Sequence, residues 1–225
     1  AAPRTSRGPD VKVFSNSAIS LDGKLGPVSY EHFRLSTEED LRRMSWLRSQ
    51  ADAVLVGGRT WRAWSLPLIE DPRVVQQPRE RPVINAVLTR TGEGARGGRF
   101  FEHSGTKPVI LGGQDAGLEG FPPGTAVHRA QGQPTVAWAL RLLEEHYGVQ
   151  RLLVEGGGSL IAQLLEIDQL HELNVTLCPL LLGGQGGPSL VDGPGFDPRT
   201  LRRLELLAHE TVGQELYLRY RVLSR

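Results

Sequence analysis

The stretch Leu152-Leu153-Val154-Glu155-Gly156-Gly157-Gly158-Ser159-Leu160-Ile161 limits the possible folds more than any other. Three apolar residues end at an acid and three consecutive glycines. An apolar pattern then resumes at Leu160, Ile161, Leu164 and Leu165 with helical spacing. The segment therefore reads as a buried strand, a glycine turn and the start of a helix. Glycines let a ligand approach the backbone closely, and the first N–H groups of a helix are free to bind an anion. Two readings stay open at this point: a tight turn between two core elements, or a phosphate site. Neither G-x-G-x-x-G nor a Walker A motif with its lysine is present, so this is not one of the standard nucleotide fingerprints.

The same alternation runs through the chain. Residues 11–17 read as a strand, followed by the loop Ser20-Leu21-Asp22-Gly23-Lys24-Leu25-Gly26. Ser36-Thr37-Glu38-Glu39 has the form of a capping box with Ser36 as N-cap, opening a helix to about Ala51 with Leu41, Met44 and Leu47 on one face. A second strand, 53–57, ends in glycine. Residues 58–81 read as irregular and carry Trp61, Trp64, Pro67, Pro72 and Pro78. Trp61 and Trp64 suit either the core or stacking on a flat ring. Further strands are expected at 82–88, 107–111, 126–129 and 172–182, and at 204–209 and 215–222 near the end. Val136, Leu140, Leu143 and Tyr147 recur at helical spacing before Gly148, a C-cap candidate.

Strands alternating with helices imply an α/β fold with a predominantly parallel central sheet and helices on both faces. The last two strands have no helix between them, which implies an antiparallel C-terminal edge. Strands ending at Gly57, Gly112 and Glu155-Gly156 aim their carboxyl ends at loops, where open α/β sheets bind ligands. Residues 1–9 are expected to be a flexible leader and residues 10–225 one domain, since no linker, repeat or composition shift divides them.

Charge and cysteine content exclude several classes. The net charge is +1 with no block of like charges, which argues against nucleic acid or a membrane surface as partner. There is no 18-residue apolar run and no signal peptide. The single cysteine, Cys178, lies in an apolar run and allows neither a disulfide framework nor a cysteine zinc site. It reads as an inert small hydrophobe, and a reducing cytoplasm is the expected compartment. The six histidines show no H-x-x-x-H spacing, so no metal is expected.

Six short segments, in order, resemble one family: Ser15-Asn16 with Ser20 to Lys24; Val54 to Gly58 with Thr60; Asp71-Pro72-Arg73; Glu155 to Leu160; Pro179-Leu180-Leu181-Leu182-Gly183-Gly184; and Val191-Asp192-Gly193-Pro194-Gly195-Phe196. The chain resembles the reductase domain of riboflavin biosynthesis, which has the dihydrofolate-reductase-like fold. That family reduces the ribosyl side chain of 5-amino-6-ribosylamino-pyrimidinedione 5′-phosphate to ribityl with NADPH, and its members are usually homodimers. The resemblance implies that Gly156, Gly157, Gly158, Ser159 and Leu160 hold the cofactor diphosphate, with Gly57 and Thr60 also facing it. It implies that Thr89 and Arg90 lie at the adenosine 2′-phosphate. It sets Asn16 and Ser20 at the substrate, Asp71 and Arg73 near its phosphate, and Lys24, Asp22 and Glu155 in catalysis. The chain departs from the family pattern in having Glu70-Asp71 before Pro72, extra residues between Thr60 and Asp71, and Leu88-Thr89 where Asp-Ser is common.

The residues themselves allow plainer readings beside these. Asp22-Gly23-Lys24 is an ordinary turn sequence, and Arg73 after Asp71-Pro72 an ordinary surface turn. Glu155 is the strongest candidate, because a carboxylate ending a buried strand needs partners. Its plain reading is an acid satisfied by helix N–H groups. Two rivals stay open: a dihydrofolate or other small-molecule reductase on the same fold, and a nucleotide-binding protein without catalysis.

Overall fold

The computed structural model describes residues 10–29, 33–77 and 79–224. The expected leader, residues 1–9, lies outside them. Nine strands form one sheet in the order β5-β4-β3-β2-β6-β1-β7-β9-β8. They are β1 (Lys12–Ser20), β2 (Ala53–Gly57), β3 (Val83–Thr89), β4 (Thr106–Gly112), β5 (Ala126–Arg129), β6 (Arg151–Val154), β7 (Glu172–Cys178), β8 (Leu204–Val212) and β9 (Glu215–Val222). The strands from β5 across to β7 pair in parallel, and the β8–β9 hairpin adds antiparallel to β7.

Helices α1 (Glu38–Ser49), α2 (Gly58–Ala63) and α3 (Arg99–Glu102) pack on one face of the sheet, and α4 (Val136–Tyr147) and α5 (Gly158–Glu166) on the other. Strand alternation divides the core accordingly. Val54, Val56, Val87 and Ile110 meet Leu47, Trp61 and Phe100. Ala53, Leu55, Ala86 and Leu111 meet Leu140, Leu143, Ile161 and Leu164.

The chain leaves β1 for β2 in one direction and leaves β6 for β7 in the other. β6 returns between β1 and β2, so the strand order reverses there. The carboxyl ends of β2, β6 and β1 open onto a common crevice at this switch point.

Three expectations need correcting, and the open reading of Trp61 is decided. Helix α1 starts one residue later than the capping box implies. Its N-cap is Thr37, which makes no side-chain cap bond of its own. Instead, the Thr37 N–H and hydroxyl donate to the carboxylate of Glu215 on β9 at 2.8 and 2.7 Å. Residues 58–81 are not wholly irregular, since α2 occupies their start. The remainder is fastened by buried Asn85, whose amide exchanges two hydrogen bonds with the backbone of Leu68. Trp61 belongs to the core, 1% exposed among Phe100, Phe101 and Phe121. Strand β7 stops at Cys178 because Pro179 has no N–H to continue the ladder, which leaves Leu180 and Leu181 exposed. Burial pushes the Cys178 thiol up to about 12. Among the described residues, no helix is long and apolar enough to cross a membrane.

Candidate active site

A cleft of about 790 Å³ opens at the carboxyl ends of the central strands. Its floor is the β6–α5 turn. Gly156 has φ +92° and Gly157 φ +47°, backbone that side-chain-bearing residues rarely adopt. A Cβ on Gly156 would lie 3.2 Å from the Thr60 hydroxyl, and one on Gly158 would strike the backbone at Ser189. The turn is therefore glycine for close approach by Thr60 and the 189–192 loop, and α5 begins with its N–H groups at the cleft. Gly57, Thr60, Thr89, Arg90, Gly156, Gly157, Gly158, Ser159 and Leu160 all line it. Gly58 must lack a side chain, because a Cβ would sit 2.8 Å from the Thr89 hydroxyl. That hydroxyl accepts from the Gly92 N–H at 3.1 Å.

Glu155 also lines the cleft, but helix N–H groups are not its main partners. Arg48, from the last turn of α1, donates to both its carboxylate oxygens at 2.7 Å. The two side chains are only 13% and 9% exposed. The same guanidinium donates to the Ile69 carbonyl at 3.1 Å. Arg48 thus ties α1, β6 and the 64–71 segment together.

The opposite wall is polar. Asn16 and Ser17, midway along β1, are 7% and 6% exposed, and Asn16 Oδ1 and Ser17 Oγ have no hydrogen-bond partner among the described residues. Asp40 of α1 lines the same wall and is 4% exposed. It accepts from the Thr176 hydroxyl on β7 and from Ser36. Burial raises its carboxyl above the usual carboxylate range, and nearby Glu215 adds to the rise.

The remaining expected site residues are not brought into the cleft lining. Asp22 accepts from Ser20 Oγ at 2.6 Å and from the N–H groups of Leu182 and Gly183 at 3.1 and 2.7 Å. These bonds, led by the Ser20 hydroxyl, hold its carboxyl at about 2. Lys24 forms a bridge with Ser189, and its Nζ lies 3.5 Å from Gly187 O and Ser189 Oγ. Ser20, Asp22 and Lys24 therefore clasp the 180–189 loop, while Leu25 and Gly26 beside them line the cleft. Asp71 pairs with Arg73 across a turn, and the Arg73 side chain is 89% exposed. Glu70 pairs with Arg79 instead.

Sequence reasoning missed Asp40, Arg48 and Arg34, all in the lining. A signal existed: Asp40, Met44 and Arg48 recur every four residues, so they share one helix stripe. Nothing local marked that stripe as facing a ligand rather than solvent.

The RibD C-terminal domain family profile matches residues 11–218. The chain belongs to that family. It is 32% identical over 220 residues to the 2,5-diamino-6-ribosylamino-4(3H)-pyrimidinone 5′-phosphate reductase of Methanothermobacter thermautotrophicus, covering 93% of this chain and 97% of the relative. The Archaeoglobus fulgidus reductase of the same name is 30% identical over 218 residues, covering 90% and 94%. Among solved structures, a pyrimidine reductase-like protein from Corynebacterium diphtheriae superposes with a TM-score of 0.77 at 17% identity, covering 96% and 93%. Acinetobacter baumannii RibD, form 1, gives a TM-score of 0.75 at 21% identity, covering 95% of this RibD C-terminal domain chain and 58% of that one. The expected architecture, a mostly parallel sheet with an antiparallel edge and helices on both faces, is the one these structures share.

Proposed function

We propose that this RibD C-terminal domain is an NADPH-dependent reductase of riboflavin biosynthesis, converting the ribosyl side chain of a ribosylamino-pyrimidine 5′-phosphate to ribityl. The observation that carries this reading is the pairing, in one cleft, of a glycine cradle at a helix N-terminus with a wall of buried polar atoms lacking partners. The cradle fits a diphosphate: a Cβ at Gly156 would crowd Thr60, and α5 supplies free N–H groups. Thr89 and Arg90 stand at the end suited to an adenosine 2′-phosphate, with Arg59 and Arg62 in the same lining.

When bound, NADPH supplies a hydride. The chain supplies binding, orientation and charge. Glu155, held by Arg48 between cradle and polar wall, accepts hydrogen bonds in a fixed direction. Asn16 faces the substrate. Lys24 serves from the rim, its contacts at the limit of hydrogen-bond reach. Its ammonium favours the opened sugar, and Asp22 and Ser20 set its loop. Arg34 takes the substrate phosphate in place of Asp71 and Arg73, because it lines the cleft and they do not. We further propose a cytoplasmic homodimer, for which exposed Leu21, Leu180 and Leu181 offer apolar surface.

The test is NADPH consumption by the purified chain on addition of a ribosylamino-pyrimidine 5′-phosphate. Rapid consumption with ribityl product is expected. Consumption only with dihydrofolate would give the rival reductase, and NADPH binding without consumption would leave a nucleotide-binding protein.

A further inference from the structure

Beside the glycine cradle the cleft lining is cationic. Helix α2 and the 89–91 turn supply Arg59, Arg62 and Arg90 to it, and no carboxylate. The carboxylates of the lining, Asp40, Glu155 and Asp192, come from α1, the end of β6 and the 189–192 loop. The cationic end adjoins the cradle. A Cβ on Gly57 would lie 3.7 Å from the Leu160 side chain, and one on Gly156 3.2 Å from the Thr60 hydroxyl. A ligand whose diphosphate sits on the cradle therefore reaches α2.

Arg62 has the setting of an anion clamp. It follows Gly58 by one turn of α2, so its side chain folds back over that glycine. The point where a Gly58 Cβ would stand is 2.8 Å from the Thr89 hydroxyl and 3.5 Å from Arg62 Nη1. Guanidinium and hydroxyl thus flank one hollow, which exists because residue 58 is glycine. Arg62 donates to the Glu93 carbonyl at 3.4 Å, the outer limit of a hydrogen bond, and has no ion pair among the described residues. Most of its N–H donors remain for a ligand. Thr89 is an independent observation. It is 3% exposed, and its hydroxyl accepts from the Gly92 N–H, which leaves its own proton to donate.

We propose that Arg62, with Thr89 donating beside it, grips the 2′-phosphate of NADPH and sets the preference for NADPH over NADH. This rests on the reductase reading and deepens it. A phosphate monoester carries about two negative charges near neutral pH, and its oxygens match the guanidinium fork. NADH has a ribose hydroxyl at that place, which dinucleotide sites hold with an acid. The cationic end offers none, so NADH gains nothing there. Arg59 and Arg90 add positive charge to the same end; Arg62 is the cation set against the Gly58–Thr89 hollow.

The test is calorimetric Kd for NADPH and NADH. The parent should bind NADPH tighter by roughly 10–100-fold, as expected for charge-assisted bonds. Arg62→Met keeps the apolar stem and should lose most of that factor for NADPH, with NADH affinity unchanged. Arg62→Lys keeps the charge without the fork and should fall between the two. Adenosine 2′,5′-bisphosphate should bind the parent more tightly than adenosine 5′-monophosphate, whatever the variants do. Equal parent affinity for the two dinucleotides would overturn the assignment. So would an Arg62→Met protein that loses both by the same factor, or a preference kept in Arg62→Met and lost in Arg90→Met. Binding of neither dinucleotide by the parent would overturn the reductase reading itself, and the Arg62 assignment with it.

Discussion

At the α5 end of the cleft, the groups that shape the floor come from six consecutive residues, 155–160, and act largely through backbone. At the α1 end, Asn16, Asp40, Thr176 and Glu215 arrive from four elements and act through side chains. The floor depends on what is missing, namely Cβ atoms. Behind the unpartnered Asn16 Oδ1 and Ser17 Oγ, the wall depends on polar groups that answer one another: Thr37 and Glu215, Thr176 and Asp40, Tyr217 and Glu215. A backbone site tolerates changes in its surroundings, whereas a side-chain network fails when one member is removed. Arg48 joins the two regions, since it reaches from α1 to the start of the floor.

That junction gives the largest expected effect. Arg48→Met leaves Glu155 buried without its cation, which costs about 3–5 kcal/mol. Urea unfolding should show the loss. Arg48→Met with Glu155→Leu should regain most of the stability, since two apolar groups replace a pair, while reductase activity stays absent. Recovery of activity as well would mean the pair is only structural.

Ser159→Asp separates floor from fold. An acid in the first turn of α5 favours the helix but opposes a diphosphate. NADPH Kd should rise about 10–100-fold, the loss of a charge-assisted contact, with Tm unchanged or higher. An unchanged Kd would make the glycine turn a structural corner.

Glu215→Gln probes the wall. Glu215 is 1% exposed and takes the place of a local N-cap for α1. Its neutralisation should cost about 1–2 kcal/mol, similar to losing a cap, and should leave NADPH affinity alone. A lowered NADPH affinity would show that the two regions are coupled beyond Arg48.

The smallest effect concerns Asp22. Its folded-state value of about 2 lies below the ordinary 3.8, so its contribution is present above pH 4 and fades as pH falls towards 2. Asp22→Asn should lower Tm slightly at pH 7 and by much less at pH 2. An equal shift at both pH values would place its effect elsewhere than in the carboxylate.

Most of the fold was legible because its signals are local. Apolar runs ending at Gly57, Gly112 and Glu155 gave the parallel strands, and Gly148 at φ +67° gave the α4 stop. The glycine floor was legible for the same reason. The capping box misled because Glu215, almost the whole chain away, outcompetes the local side chain for the α1 N-terminus. Asp22-Gly23-Lys24 and Asp71-Pro72-Arg73 were readable as motifs but not as locations. Their side chains turn to the 180–189 loop and to each other, which is decided by tertiary contacts. Asp40 and Arg48 carried no local mark, since charges on a surface helix usually face water.

One measurement bears most directly on the claim that floor and wall form a single reductase site: a crystal structure of the chain with NADPH. The expected result puts the diphosphate on Gly156 to Ser159, the 2′-phosphate at Thr89 and Arg90, and the nicotinamide between Glu155 and Asn16. A nicotinamide lying away from the Asn16–Asp40 wall, or a diphosphate bound elsewhere than the β6–α5 turn, would contradict it.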